Sequence, residues 1–154
     1  MKYLNAMTAS SIQLTLARFT FPNTETGPQT RQALNFARGR VLDIGCGAGR
    51  HSLYLQNAKG LDVLGIDVSP LAIKVCRLRG LKKARVMSIS ELSFKEKSFD
   101  TLLMMGGNFG LLGNPKKAKW LLRRFYKMTS DQAVIITHTL DPLQNRRSGS
   151  QKLS

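Results

Sequence analysis

The run RVLDIGCGAGRH at positions 40–51 constrains this chain more than any other stretch. Val41, Leu42 and Ile44 lead straight into Gly45, Gly47 and Gly49, and residues of helical character, Ser52 to Asn57, follow. Glycines at alternate positions let a chain turn sharply after a buried strand and let a ligand approach the backbone more closely than a Cβ would permit. The helix beyond such a turn aims its free N–H groups into the same crevice. A strand, a glycine turn and a helix in that order belong in a parallel sheet with helical crossovers.

The rest of the sequence supplies the other parts. Apolar runs rich in Val, Ile and Leu occur at 41–44, 63–66, 85–89, 101–105 and 133–137, with helix-like segments between most of them. Each run is apolar at nearly every position, so both faces of each strand are covered, and the fold class is α/β with a doubly wound parallel sheet. Thr26-Gly27-Pro28 opens a helix over 28–36, Ser69-Pro70 opens one over 71–79 that ends at Gly80, and Asn114-Pro115 opens one that runs to Met128. In the last helix Ala118, Leu121, Leu122, Phe125 and Met128 share a face, while Lys116, Lys117, Lys119, Arg123, Arg124 and Lys127 form a solvated basic one. The expected organisation is an N-terminal helix and loop over 1–27, one ligand-binding domain over 28–140, and a flexible basic tail over 141–154 after Asp141-Pro142.

The glycine spacing narrows the ligand. Asp43, Gly45, Gly47 and Gly49 form Asp-x-Gly-x-Gly-x-Gly, whereas the dinucleotide fingerprint is Gly-x-Gly-x-x-Gly. A carboxylate two residues before the first glycine repels a pyrophosphate and attracts an ammonium group. On these residues the sequence, over about 28–139, resembles the class I S-adenosylmethionine-dependent methyltransferases.

That resemblance implies a Rossmann-like sheet of about five strands in the order 3-2-1-4-5, and S-adenosylmethionine as cofactor. It implies that Asp43, Gly45, Cys46, Gly47 and Gly49 hold the amino acid end of the cofactor, that Asp67 binds the ribose hydroxyls and that Val68 touches the adenine. Family members carry an acidic residue at the end of strand three; here Ser88 stands at the matching position and leaves the adenine to backbone groups near Ile89. Gly106 and Gly107 would let the backbone pass close to the sulfonium, and Met105 and Gly106 count among the cofactor-binding residues. Asp100, before strand four, is read as structural.

The catalytic residue stays open at this point, with Asn108, His138 and His51 as the candidates and none carrying a distinctive pattern. There is no Asn-Pro-Pro-Tyr or Asp-Pro-Pro-Tyr after strand four, which disfavours methylation of a nucleic-acid base. The resemblance stops after strand five, where the family continues through a helix and an antiparallel strand pair. The expected function is methyl transfer to an unidentified acceptor, a small molecule ahead of a nucleic acid. The alternative is a truncated relative that binds the cofactor or a partner without catalysis. A nicotinamide dehydrogenase is disfavoured by Asp43 and the glycine spacing.

Charge is the remaining signal. Lys and Arg number 24 against 9 acidic residues, a net charge of +15, which leaves RNA or an acidic protein open as a partner. The basic groups fall in two clusters, Lys74 to Arg85 and Lys116 to Lys127, and right-handed crossovers turn these to opposite faces of the sheet, against a single nucleic-acid groove. The apolar run 133–137 forms an edge that favours self-association. Cys46 and Cys76 lack metal-site spacing, so reduced thiols and no metal are expected. Asn5, Thr8, Ser10, Ser11, Gln13 and Thr15 interrupt the apolar stretch at the start, which argues against a leader or a membrane span and for a cytoplasmic protein.

Overall fold

The structure is a computed structural model and describes residues 28–138. The expected N-terminal helix and loop at 1–27 and the tail at 141–154 lie outside the described residues. Four α-helices, α1 (Pro28–Leu34), α2 (Arg50–Lys59), α3 (Pro70–Leu78) and α4 (Pro115–Met128), alternate with five strands. These are β1 (Arg40–Ile44), β2 (Asp62–Asp67), β3 (Lys83–Val86), β4 (Phe99–Met104) and β5 (Thr129–Thr137). All neighbouring strands pair in parallel, in the order β3-β2-β1-β4-β5, as expected for the doubly wound fold.

Alternation along the strands divides the core in two. Leu42, Ile44, Ile66, Leu102 and Met104 point to the side where Leu121, Phe125 and Met128 of α4 pack. Val41, Val63 and Leu103 point to the other side, against Leu34 of α1 and Leu55 of α2. Each fully buried aliphatic side chain of this kind contributes about 1.5–3 kcal/mol. The helix starts follow their caps: Ser69 Oγ accepts from Ala72 N, and Asn114 Oδ1 accepts from Lys117 N at 3.0 Å. Asp100 is structural, as expected: its carboxylate accepts from Arg40 N at 2.8 Å and fills the space where a Cβ on Gly39 would stand.

Two strand boundaries differ from the expectation. Strand three spans Lys83–Val86 instead of 85–89, because Ser88 caps a short 3-10 turn, Ile89–Glu91, that buries Ile89 outside the sheet. Strand five begins at Thr129, through polar residues on an exposed edge, and not at Ala133. Because the crossover from β3 to β4 contains only that 3-10 turn, no α-helix among the described residues covers the β2–β3 half of the sheet on the α4 side.

Candidate functional site

The site lies at the carboxyl ends of β1 and β2, where open α/β sheets place ligands. Gly45, Gly47 and Gly49 have φ of 74°, 55° and 78°, a region open to glycine and costly for other residues. Gly45 N and Cys46 N donate to Ile66 O, at 2.8 and 2.9 Å, so the turn is fastened to the end of β2. A Cβ on Gly45 would stand 2.4 Å from Asn108 Nδ2, and one on Gly49 would stand 2.9 Å from Cys76 Sγ.

Asp67, half-buried at the end of β2, ties two turns together. Its Oδ2 accepts from Gly47 N and its Oδ1 from Ser69 N, both at 2.9 Å. Ser69, not Asp67, caps α3. Each carboxylate oxygen accepts one hydrogen bond in this arrangement and has capacity for another.

Beside this carboxylate opens a cavity of about 240 Å³. Of the residues singled out from the sequence, it brings together Gly45, Asp67, Val68, Ser88, Ile89 and Asn108. Val68 is 68% exposed at its mouth. Ser88 Oγ accepts from Ser90 N, and the Glu91 carboxylate turns back to accept from Ser88 N at 2.9 Å. The acid that follows Ser88, Glu91, is three residues further on and held in a capping box. Met87, Leu111 and Lys117 also line the cavity and were missed by sequence reasoning. Lys117 counted there as part of the solvated helix face; the 3-10 turn Asn108–Leu112 brings the start of α4 over the crevice.

The other candidates sit around the cavity instead of lining it. Asp43 is 2% exposed, beneath the turn, and accepts from Ser52 Oγ at 2.6 Å. Burial pushes its carboxyl up from 3.8 to about 6, with the Ser52 hydrogen bond opposing and the Asp67 charge adding to the rise. The carboxylate expected to face a ligand thus acts from below. Cys46 and Cys76 are buried with sulfurs 3.9 Å apart, and Cys76 donates to Gly47 O at 3.0 Å. Hydrogen bonding between them and burial push the Cys46 thiol far up, so both are packing groups under the turn. No metal-ligating cluster exists among the described residues.

Met105 is buried against the α1–α2 side of the sheet, while a Cβ on Gly106 (φ 66°) would meet only open space. Asn108 donates its amide to Ile44 O at 3.0 Å and Gly45 O at 2.8 Å, so both amide hydrogens are engaged in closing the end of β1. His51, buried in the first turn of α2, accepts at Nε2 from the Arg50 guanidinium at 3.2 Å. Burial, then the charges of Arg50 and His138, pull its pKa down to about 4, which keeps it neutral at pH 7. His138 is exposed just beyond β5, its N–H directed at Met104 O.

The sequence matches the family model described as a methyltransferase domain over residues 41–132. It is similar to the ubiquinone biosynthesis O-methyltransferase of Xanthomonas oryzae pv. oryzae, 38% identical over 78 residues, which are 47% of this chain and 32% of that protein. Among solved structures it is similar to an S-adenosylmethionine-dependent methyltransferase from Bacteroides fragilis in complex with S-adenosyl-L-homocysteine. The TM-score is 0.66 at 34% identity, covering 73% of this chain and 47% of that one. An S-adenosylmethionine-dependent methyltransferase from Methanosarcina mazei gives a TM-score of 0.58 at 27% identity, covering 72% and 56%. The chain spans about a third of the curated relative and about half of the two solved ones.

Proposed function

Because the chain belongs to the methyltransferase domain family, the class I S-adenosylmethionine-dependent group, we propose that its crevice holds S-adenosylmethionine and that it transfers the methyl group to a small-molecule acceptor. The observation that carries this reading is the convergence of the glycine turn and the Asp67 carboxylate on one cavity. The residues fit the cofactor on chemistry: Asp67 has acceptor capacity for two ribose hydroxyls, and the backbone at Gly45 bears no Cβ. Ligand pockets usually run from about 300 to 1,000 Å³. At about 240 Å³ the cavity suits the nucleoside end of the cofactor.

In this proposal Asp67 binds the ribose, while Val68, Ser88 and Ile89 flank the adenine. Gly45, Gly47 and Gly49 let the backbone approach the amino acid end, and Cys46 packs the turn from below. Asp43 favours the cofactor's ammonium through its charge and keeps α2 in register through Ser52. Met105 and Gly106 carry the chain past the reacting centre. The bound sulfonium supplies an activated methyl group, and the protein's part is alignment of donor and acceptor for in-line displacement. Asn108 is a positioning residue, since it holds the end of β1. Of the two histidines, exposed His138 is better situated than buried His51 to take a proton from an acceptor. Leu111, exposed at the crevice, and the neighbouring exposed Phe109 of the same 3-10 turn favour an acceptor with apolar surface over a nucleic acid. No described helix is long and apolar enough to cross a membrane.

The test is titration of the protein with S-adenosylmethionine, S-adenosylhomocysteine and NAD, read by heat and by thermal midpoint. Both sulfur nucleosides are expected to bind and raise the midpoint, and NAD is not. Uptake of NAD alone would overturn the reading, and cofactor uptake without turnover on any acceptor would reduce it to a binding protein.

A further inference from the structure

A second cavity, of about 590 Å³, lies at the opposite end of the sheet, where β1, β2 and β3 begin. It lies on the α4 side, on the half that no described α-helix covers, so Lys83 and Arg85, in register with Leu64 and Ile66, face the same side as α4 and not the opposite side expected from the crossovers. Five cations line it, Arg40, Arg77, Lys82, Lys83 and Arg85, against one carboxylate, Asp62. Leu64, Phe94 and Phe99 supply an apolar wall, with the two rings edge to face at 4.9 Å.

The partners of these cations are unequal. Lys83 takes both oxygens of Asp62, at 2.6 and 2.8 Å. Arg77 donates to Ala84 O at 2.7 Å, and Arg40 donates to Lys97 O at 2.7 Å while lying 3.9 Å from Asp100. The Lys82 ammonium and the Arg85 guanidinium have no hydrogen bond or ion pair among the described residues. The single carboxylate is spent on Lys83, so the cavity carries a net positive charge beside an apolar wall, which strengthens the field it offers an anion.

The geometry points to a second binding site here, for a small phosphorylated ligand whose phosphoryl oxygens bridge Lys82 and Arg85, with Arg40 and Arg77 fixed at its margin. A guanidinium fork and a point ammonium suit phosphoryl oxygens. β2 runs six residues from Asp62 at this cavity to Asp67 at the other, a separation of about 17 Å. The phosphorylated ligand is therefore neither the methyl donor nor the acceptor. The volume admits a ligand of nucleotide size, while a phosphodiester chain would need basic surface continuing beyond the cavity. The other basic cluster, on α4, belongs to a different helix and does not line this cavity.

The test uses the full chain and inorganic pyrophosphate, followed by calorimetry at low and at physiological ionic strength, with a single-stranded RNA oligonucleotide as the alternative phosphate source. Two double variants of equal charge change accompany it: Lys82→Glu with Arg85→Glu in the cavity, and Lys116→Glu with Lys119→Glu on α4. Unchanged thermal midpoints verify that both fold. Pyrophosphate is expected to saturate one site, to weaken at least about tenfold in the cavity variant, and to change less than about twofold in the α4 variant. Equal weakening in both variants would assign the effect to net charge and overturn the site. Absence of pyrophosphate uptake, or uptake of the oligonucleotide alone, would overturn it as well.

Discussion

Replacing Gly45 by alanine perturbs the turn in two separable ways. At φ 74° an alanine costs about 1–2 kcal/mol in backbone strain. Its Cβ would also stand 2.4 Å from Asn108 Nδ2, which must move and release Ile44 O and Gly45 O. Two lost hydrogen bonds at about 1 kcal/mol each bring the total to about 3 kcal/mol. Asn108→Ala alone loses the same two bonds, about 2 kcal/mol, without the strain. In the double variant the alanine methyl finds the space vacated, so the cost is about 3 kcal/mol instead of the additive 5, a coupling of about 2 kcal/mol. Urea unfolding followed by circular dichroism measures all four proteins, with the slope on denaturant checked for constancy. If the two substitutions add, the glycine is not there to admit the asparagine, and the account of how β1 ends is wrong.

Three further outcomes are expected. Asp43 and His51 oppose each other in acid: the raised Asp43 pKa makes stability fall as pH rises from 3.8 to about 6, and the lowered His51 pKa makes it rise from about 4 to 6.5, each by about 3 kcal/mol. Chemical unfolding across pH 4–7 is therefore nearly flat for the unaltered protein, whereas Asp43→Asn loses stability on acidification and His51→Asn gains it; parallel profiles in all three would contradict this. Asp67→Ala weakens S-adenosylhomocysteine about 10- to 100-fold by calorimetry, the worth of hydrogen bonds to a charged group, and undiminished binding would remove the ribose role. Ile135, 47% exposed on edge strand β5, makes Ile135→Lys less prone to self-association in sedimentation, and a parent that sediments as a monodisperse monomer would refute the edge's role.

What could be read from the sequence was what its own neighbours determine. The turn after β1 and the Ser69 and Asn114 caps follow from local spacing, the strand order is what the resemblance implies, and each stands in the structure. Strand three was misjudged because it is an edge strand, exposed at Lys83, Arg85 and Val86, whereas apolar Ile89 is buried by the 3-10 turn instead. The start of β5 was missed for the same reason: Asp131 and Gln132 are exposed. Asn108 stood among the catalytic candidates because its partners in the structure, Ile44 O and Gly45 O, lie more than 60 residues away in sequence. The buried position of Asp43 was equally out of reach, since it depends on α2 folding back to present Ser52.

The Asp67 carboxylate grips the backbone of Gly47 with one oxygen and that of Ser69 with the other. Two loops from different crossovers thus share a single rivet, and neither can loosen without the other. Solvent reaches both amides through one opening event, and whatever steadies the Asp67 end of the crevice stiffens the far loop at the same time.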